Sequence, residues 1–102
     1  MYLPDIPNAR EGTVIDVRTR EEYDLGHVPG AVNIPWDLHL YYLAELSELP
    51  KPLILCCEEG WRAGLVVFSL RTLGFEEVYN SGRWIDIYRE QAEWTEPMDE
   101  AA

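Results

Sequence analysis

Leu53-Ile54-Leu55-Cys56-Cys57-Glu58-Glu59-Gly60-Trp61-Arg62 is the stretch on which the reading of this chain turns. Its first half is apolar without alternation, the pattern of a central strand covered on both faces in a parallel sheet. After Arg62, apolar residues recur at Ala63, Val66, Val67, Leu70 and Leu73, the spacing of a helix with one buried face. Gly74-Phe75 then supplies a glycine stop and a following hydrophobic contact. Strand, short loop and helix in that order place Cys57 at the carboxyl end of a strand and just ahead of a helix N-terminus. Ligands of open α/β sheets gather at such strand ends. Inward-facing N–H groups and the helix dipole there favour a thiolate, the nucleophilic form of cysteine. Gly60 permits the tight curl, and Arg62 offers a cation to a negatively charged substrate or transferred group.

Working outward, Gly12-Thr13-Val14-Ile15-Asp16-Val17 reads as another buried strand. Thr19-Arg20-Glu21-Glu22 has the S/T-x-x-E spacing of a capping box and starts a short helix through Leu25 that Gly26 ends. His27-Val28-Pro29-Gly30 is a turn, and Ala31-Val32-Asn33-Ile34 a small strand closed by Pro35. Trp36, Leu40, Leu43 and Ala44 approximate a helical stripe over 36–46 that Pro50 and Pro52 bring to an end. Glu77-Val78-Tyr79 is a strand, Gly82 a turn, and Trp84-Ile85-Ile87-Tyr88 marks a last helix before an acidic tail from about residue 95. Strands alternating with helices predict an α/β layer structure around a mainly parallel sheet with helices on both faces.

With 102 residues, 47% of them hydrophobic, the chain is sized for one core, and a single domain over 1–102 is expected. No apolar run approaches the roughly 20 residues that span a bilayer, so no membrane partner is expected. Met1-Tyr2-Leu3-Pro4-Asp5 lacks the basic and apolar regions of a secretory signal, which predicts a cytoplasmic location. Nineteen acidic against eight basic residues, a formal charge of −11, repel phosphate backbones and argue against a nucleic-acid partner. The only two cysteines are adjacent, which excludes a disulfide framework and leaves a CxxC zinc site unsupported.

Beyond the loop, Asp16-Val17-Arg18, Glu21-Glu22-Tyr23, Gly26 through Pro35, Cys57-x-x-Gly60-x-Arg62 and Leu73-Gly74-Phe75-x-x-Val78 follow one another in an order that resembles the rhodanese family. The resemblance covers residues 13 to 84. It implies a parallel sheet of about five strands, with Cys57 as the nucleophile and Glu58, Glu59, Gly60, Trp61 and Arg62 as the loop around its persulfide. It also implies double displacement: the thiolate takes a sulfane sulfur from a small donor or a protein persulfide and passes it to a thiol or sulfur-carrier acceptor. No cofactor, metal or organic, is implied. By the same resemblance Asp16 and Arg18 form a buried architectural pair. His27 is expected to bond backbone through a ring nitrogen, and Trp36, Trp84 and Trp94 to pack in the core or as a lid. Trp61 either packs beneath the loop or walls the pocket.

Two alternatives stand beside that reading. Cys56-x5-Arg62 has the count of a cysteine phosphatase loop, but Cys56 continues the apolar strand and Gly60 falls where the shorter loop needs it. A rhodanese fold could also serve as a binding or persulfide-sensing module with little turnover. Because strand side chains alternate faces, Cys56 is expected to point away from Cys57 into the core; resolution of a Cys57 persulfide through a vicinal disulfide would demand strained geometry. The two glutamates bear on the donor. One carboxylate about 5 Å from an anion costs on the order of 3 kcal/mol at an effective dielectric near 20, against about 0.4 kcal/mol at 10 Å in water. Weak use of thiosulfate is therefore expected. Asn80-Ser81-Gly82 departs from the glycine pair that the family often places before the last helix.

Overall fold

The computed structural model describes residues 11–94. Four strands, β1 (Thr13–Asp16), β2 (Val32–Asn33), β3 (Leu53–Cys57) and β4 (Val78–Arg83), form one sheet in the order β2-β1-β3-β4. Every pairing is parallel. The helices are α1 (Arg20–Leu25), α2 (Leu43–Glu48), α3 (Trp61–Thr72) and α4 (Trp84–Trp94), with a 3-10 helix at Trp36–Tyr42. The resemblance implied about five strands; the described residues supply four, and the α/β class is as expected.

β3 is the central strand, and all five of its side chains are buried. Their alternation divides the core. Leu53, Leu55 and Cys57 join Ile15 and Val17 of the β1 segment, Leu46 of α2, and Ala63, Val66, Val67 and Leu70 of α3 on one face. Ile54 and Cys56 join Val14, Val28, Ala31 and Ile87 on the other, with Tyr23 and Trp84 packed against them. Helices therefore cover both faces, which is why β3 reads as a continuous apolar run rather than an alternating one.

Local chemistry sets the element ends. Thr19 caps α1: its hydroxyl accepts from the Glu22 N–H at 3.2 Å, and the Glu22 carboxylate accepts from the Thr19 N–H at 3.0 Å. The Gly74 N–H donates to the Arg71 carbonyl and the Phe75 N–H to the Leu70 carbonyl, each at 3.0 Å, a Schellman stop for α3. Phe75 packs back on the core while Leu73, which the helical spacing assigns to the buried stripe, is half-exposed. The helix ends before Leu73 completes its turn, and Phe75 takes the place it would have filled.

The stretch 36–46 also departs from the expected single helix. Its first part is a 3-10 helix, in which residues three apart eclipse. Trp36, His39 and Tyr42 accordingly turn inward while Leu38, Leu40 and Tyr41 are exposed, so the 3.6-residue stripe put Leu40 on the wrong face. Gly82 is the other correction. It belongs to β4, where Leu55 pairs with Asn80 and Cys57 with Arg83, so β4 carries one extra residue there. The Asn80 side-chain carbonyl closes this bulge by accepting from the Gly82 N–H at 2.8 Å. The expected acidic tail lies outside the described residues.

Candidate functional site

The turn from β3 into α3 is built around the Cys57 sulfur. Gly60 adopts a left-handed conformation, φ 105°, open to glycine at little cost. That bend brings the Gly60 N–H to 2.9 Å and the Ala63 N–H to 3.4 Å from Cys57 Sγ. Both donors belong to the start of α3, so the positive end of the helix dipole lies at the sulfur. The Asn80 amide holds the turn from outside by donating to the Gly60 carbonyl at 3.0 Å. Cys57 is 0% exposed.

Cys56 faces the other way, into the cluster of Val14, Val28, Ala31, Ile54 and Ile87. Burial, reinforced by the Asp16 charge, pushes its thiol well above the usual range, so it stays protonated. Both cysteines are free. The expectation that they sit on opposite faces holds, which leaves the Cys56-x5-Arg62 count without a nucleophile aimed into the loop.

Glu58 turns along the Cys56 side rather than over the sulfur. Its Oε1 accepts from Arg18 Nη1 and Trp84 Nε1, each at 3.3 Å. Glu59 is exposed. Arg18 is the hub beneath Glu58: 3% exposed, it gives Nε and Nη2 to the Asp16 carboxylate, the latter at 2.8 Å, and lies 4.5 Å from the centre of the Trp84 ring. Burial works against its charge, but the bonds and field of Asp16 with that of Glu58 outweigh burial and raise its pKa. The Asp16–Arg18 pair is thus as expected, and Trp84 packs on it as well as on the core. His27 Nδ1 meets the Tyr23 carbonyl at 2.7 Å, the backbone bond expected of it.

Arg62 is not free for a substrate anion. Its Nη1 and Nη2 donate to Oε1 and Oε2 of Glu22 at 2.8 and 3.2 Å. The bond from Arg62 is the largest cause that draws the Glu22 carboxyl down to about 2, and the same bond raises Arg62. Glu22 carries a cap signature in sequence, and no local pattern shows that its carboxylate also reaches a side chain 40 positions away. Trp61 is exposed and meets Trp36 edge-on with ring centres 5.7 Å apart, so it walls the loop's outer side instead of packing beneath it. The Trp94 side chain lies outside the described residues.

The family model described as Rhodanese-like domain matches residues 3–82. The chain belongs to this family. The uncharacterized protein YqhL of Bacillus subtilis is 37% identical over 71 residues, 70% of this chain and 56% of that protein, so the chain spans little more than half of its length. Among solved structures, a rhodanese with anions from E. coli superposes with a TM-score of 0.66 at 31% identity, covering 72% of this chain and 88% of that one. A human single-domain sulfurtransferase, TSTD1, gives 0.59 at 27% identity over 83% of this chain and 84% of that one. Among the described residues of this rhodanese-like chain, no three His, Cys, Asp or Glu side chains are grouped to hold a metal ion. No described helix is long and apolar enough to cross a membrane.

Proposed function

We propose that this rhodanese-like chain is a sulfurtransferase in which Cys57 carries sulfane sulfur as a persulfide. The observation that supports it most directly is the pair of N–H donors, from Gly60 and Ala63, on Cys57 Sγ. Hydrogen bonds from fixed backbone donors favour the thiolate over the thiol, and they favour the persulfide anion that follows. The loop Glu58, Glu59, Gly60, Trp61 and Arg62 forms the wall of the site. Cys57 attacks the outer sulfur of a small sulfane donor or a protein persulfide, and the electron pair of the broken S–S bond leaves with the donor's remaining half. Attack on the outer persulfide sulfur by a thiol or sulfur-carrier acceptor returns Cys57 as thiolate. Reduced acceptors of this kind belong to the cytoplasm, where we place the reaction.

Intact mass after incubation with a sulfane donor tests this. The expected result is an adduct of about 32 Da, one sulfur atom, mapped to Cys57 and lost on adding a thiol. Aryl-phosphate hydrolysis without any such adduct would sink the reading. One observation favours a second reading, a persulfide-sensing or binding module: the sulfur is fully buried. An adduct that forms but is not passed on over many turnovers would select it.

A further inference from the structure

Of the guanidiniums near the Cys57 loop, Arg18 and Arg62 are closely engaged by carboxylates, whereas Arg83, the neighbour of Cys57 across the sheet, is half-exposed and lies 3.9 Å from Asp86. Arg18 is committed to Asp16 and Glu58, and its Nη2 also donates to the Gly26 carbonyl at 2.6 Å. Arg62 is the one positioned by the loop itself, in the first turn of α3, whose start donates the N–H groups that meet the Cys57 sulfur. Yet its outward fork is closed on both oxygens of Glu22. Arg62 is 13% exposed and Glu22 37%, so solvent and an incoming donor meet more of the carboxylate than of the cation. Glu22 has little freedom to swing away. Thr19 holds the same carboxylate from behind, through its N–H at 3.0 Å and its hydroxyl at 3.2 Å.

We propose, resting on the reading of Cys57 as sulfur carrier, that Glu22 biases the donor class of this site: by closing Arg62 it withdraws the cation that the loop itself would offer an oxyanion donor. The remaining substrates are donors whose sulfane sulfur is borne on an uncharged carbon group, alkyl hydrodisulfides above all. Arg18 and Arg62 are set against Asp16, Glu58 and Glu22, and the remaining cation beside the loop, Arg83, faces exposed Glu59 and Asp86. Both donor classes deliver the same atom. With thiosulfate, Cys57 thiolate bonds the outer sulfur, the bond to the sulfonate sulfur breaks, and sulfite leaves with its electron pair. With an alkyl hydrodisulfide, Cys57 thiolate bonds the outer sulfur, the S–S bond breaks, and the alkyl sulfur leaves with the electron pair and takes up the hydrodisulfide proton as a thiol, leaving Cys57 as the persulfide anion. The two differ in the charge brought to the loop before reaction, which is what Glu22 and Arg62 act on.

Glu22→Gln isolates that charge. Glutamine at this position still serves a capping box, so α1 keeps its N-terminus while the carboxylate is gone. The quantity to measure is the ratio of kcat/KM for thiosulfate to kcat/KM for 2-hydroxyethyl hydrodisulfide, which cancels any general loss of active protein. In Glu22→Gln the ratio is expected to rise about tenfold at low ionic strength, and the gain to shrink as salt is added. In the double variant Glu22→Gln/Arg62→Gln the gain is expected to vanish. An unchanged ratio in the single variant, or a rise that survives in the double variant, would overturn the proposal. If the unsubstituted protein forms the adduct with both donors while the ratio stays fixed, only the role of Glu22 falls. If neither donor places sulfur on Cys57, the reading beneath it falls too.

Discussion

Two sulfur atoms one residue apart at the end of β3 occupy opposite faces of the sheet, and both are fully buried. Cys56 lies among aliphatic side chains beside the Asp16–Arg18 pair, where burial and a neighbouring carboxylate hold it as a thiol. Cys57 receives two backbone N–H groups from a helix start. Burial is therefore the same for the two sulfurs; the orientation of the nearest backbone dipoles is what differs. The faces also use charge differently. On the Cys56 side an arginine is enclosed within the fold, and on the Cys57 side an arginine is clamped at the rim of the loop, so one pair secures the sheet end and the other tunes what approaches it.

The largest effect should separate the two cysteines outright. Cys57→Ala removes the attacking atom, and sulfur transfer should fall by about 10³-fold or more, as when other covalent nucleophiles are deleted. Cys56→Ala removes one buried heavy atom from an aliphatic cluster. It should cost about 0.5 to 1.5 kcal/mol of stability, comparable to Ile→Val in a core, and leave the adduct on Cys57 in place. Equal losses of transfer in two folded variants would break the comparison and revive a resolving role for Cys56.

Next in size is Arg18 on the Cys56 face. Arg18→Met leaves the Asp16 carboxylate buried with only the Arg18 backbone N–H, 3.0 Å from Oδ1, among its present donors. Breaking a buried pair in this way costs about 3 to 5 kcal/mol, readable as a lowered urea midpoint. Asp16→Asn added to Arg18→Met should recover a large part of that loss by removing the stranded charge. No recovery would mean that Arg18 acts through its packing on Trp84 rather than through its charge.

How far these features were legible in the sequence follows from their range. The β3 run, the capping box at Thr19 and the stop at Gly74-Phe75 are written in residues within a turn or two of one another, and local chemistry fixes them. The opposite facing of Cys56 and Cys57 follows from strand alternation alone. The 3-10 segment was missed because an apolar stripe with three- and four-residue steps suits either helix until packing of Trp36, His39 and Tyr42 selects the tighter one. The bulge at Gly82 was missed because a glycine with positive φ marks a turn and an irregular strand equally well. In sequence Arg62 stands as an open cation because its partner, Glu22 on α1, is 40 positions away. Glu58, whose direction decides how an anion is received, turned out to follow Arg18 and Trp84, contacts 40 and 26 residues distant.

Gly60→Ala sharpens the comparison at the cradle itself. A Cβ at Gly60 would meet Gly82 Cα at 3.5 Å, ordinary contact, so space is not the obstacle. The obstacle is φ at 105°, where an L side chain costs about 1 to 2 kcal/mol. Relief of that strain rotates the N–H away from Cys57 Sγ, so the variant should lose transfer activity by about tenfold while the thermal midpoint drops by several degrees. Unchanged activity in a destabilised Gly60→Ala protein would assign the cradle to folding alone.

The smallest effect belongs to the acid limb. Glu22 titrates near 4.5 when unpaired and is lowered to about 2 by Arg62 and the Thr19 groups. A lowered carboxyl binds fewer protons in the folded chain than in the unfolded one, so its contribution is complete above about pH 4.5 and is lost as pH falls toward 2. Being more than a third exposed, Glu22 is screened by solvent, and the change should stay below about 1 kcal/mol. Urea midpoints followed from pH 6 to 2 should therefore fall less steeply for Glu22→Gln than for the unsubstituted protein. If the two curves run parallel, the Glu22–Arg62 contact contributes nothing to stability. Any effect of Glu22→Gln on donor choice would then be assigned to charge at the loop rather than to a loosened α1, which is how this smallest measurement bears on the contrast between a pair that secures the sheet and a pair that tunes the site.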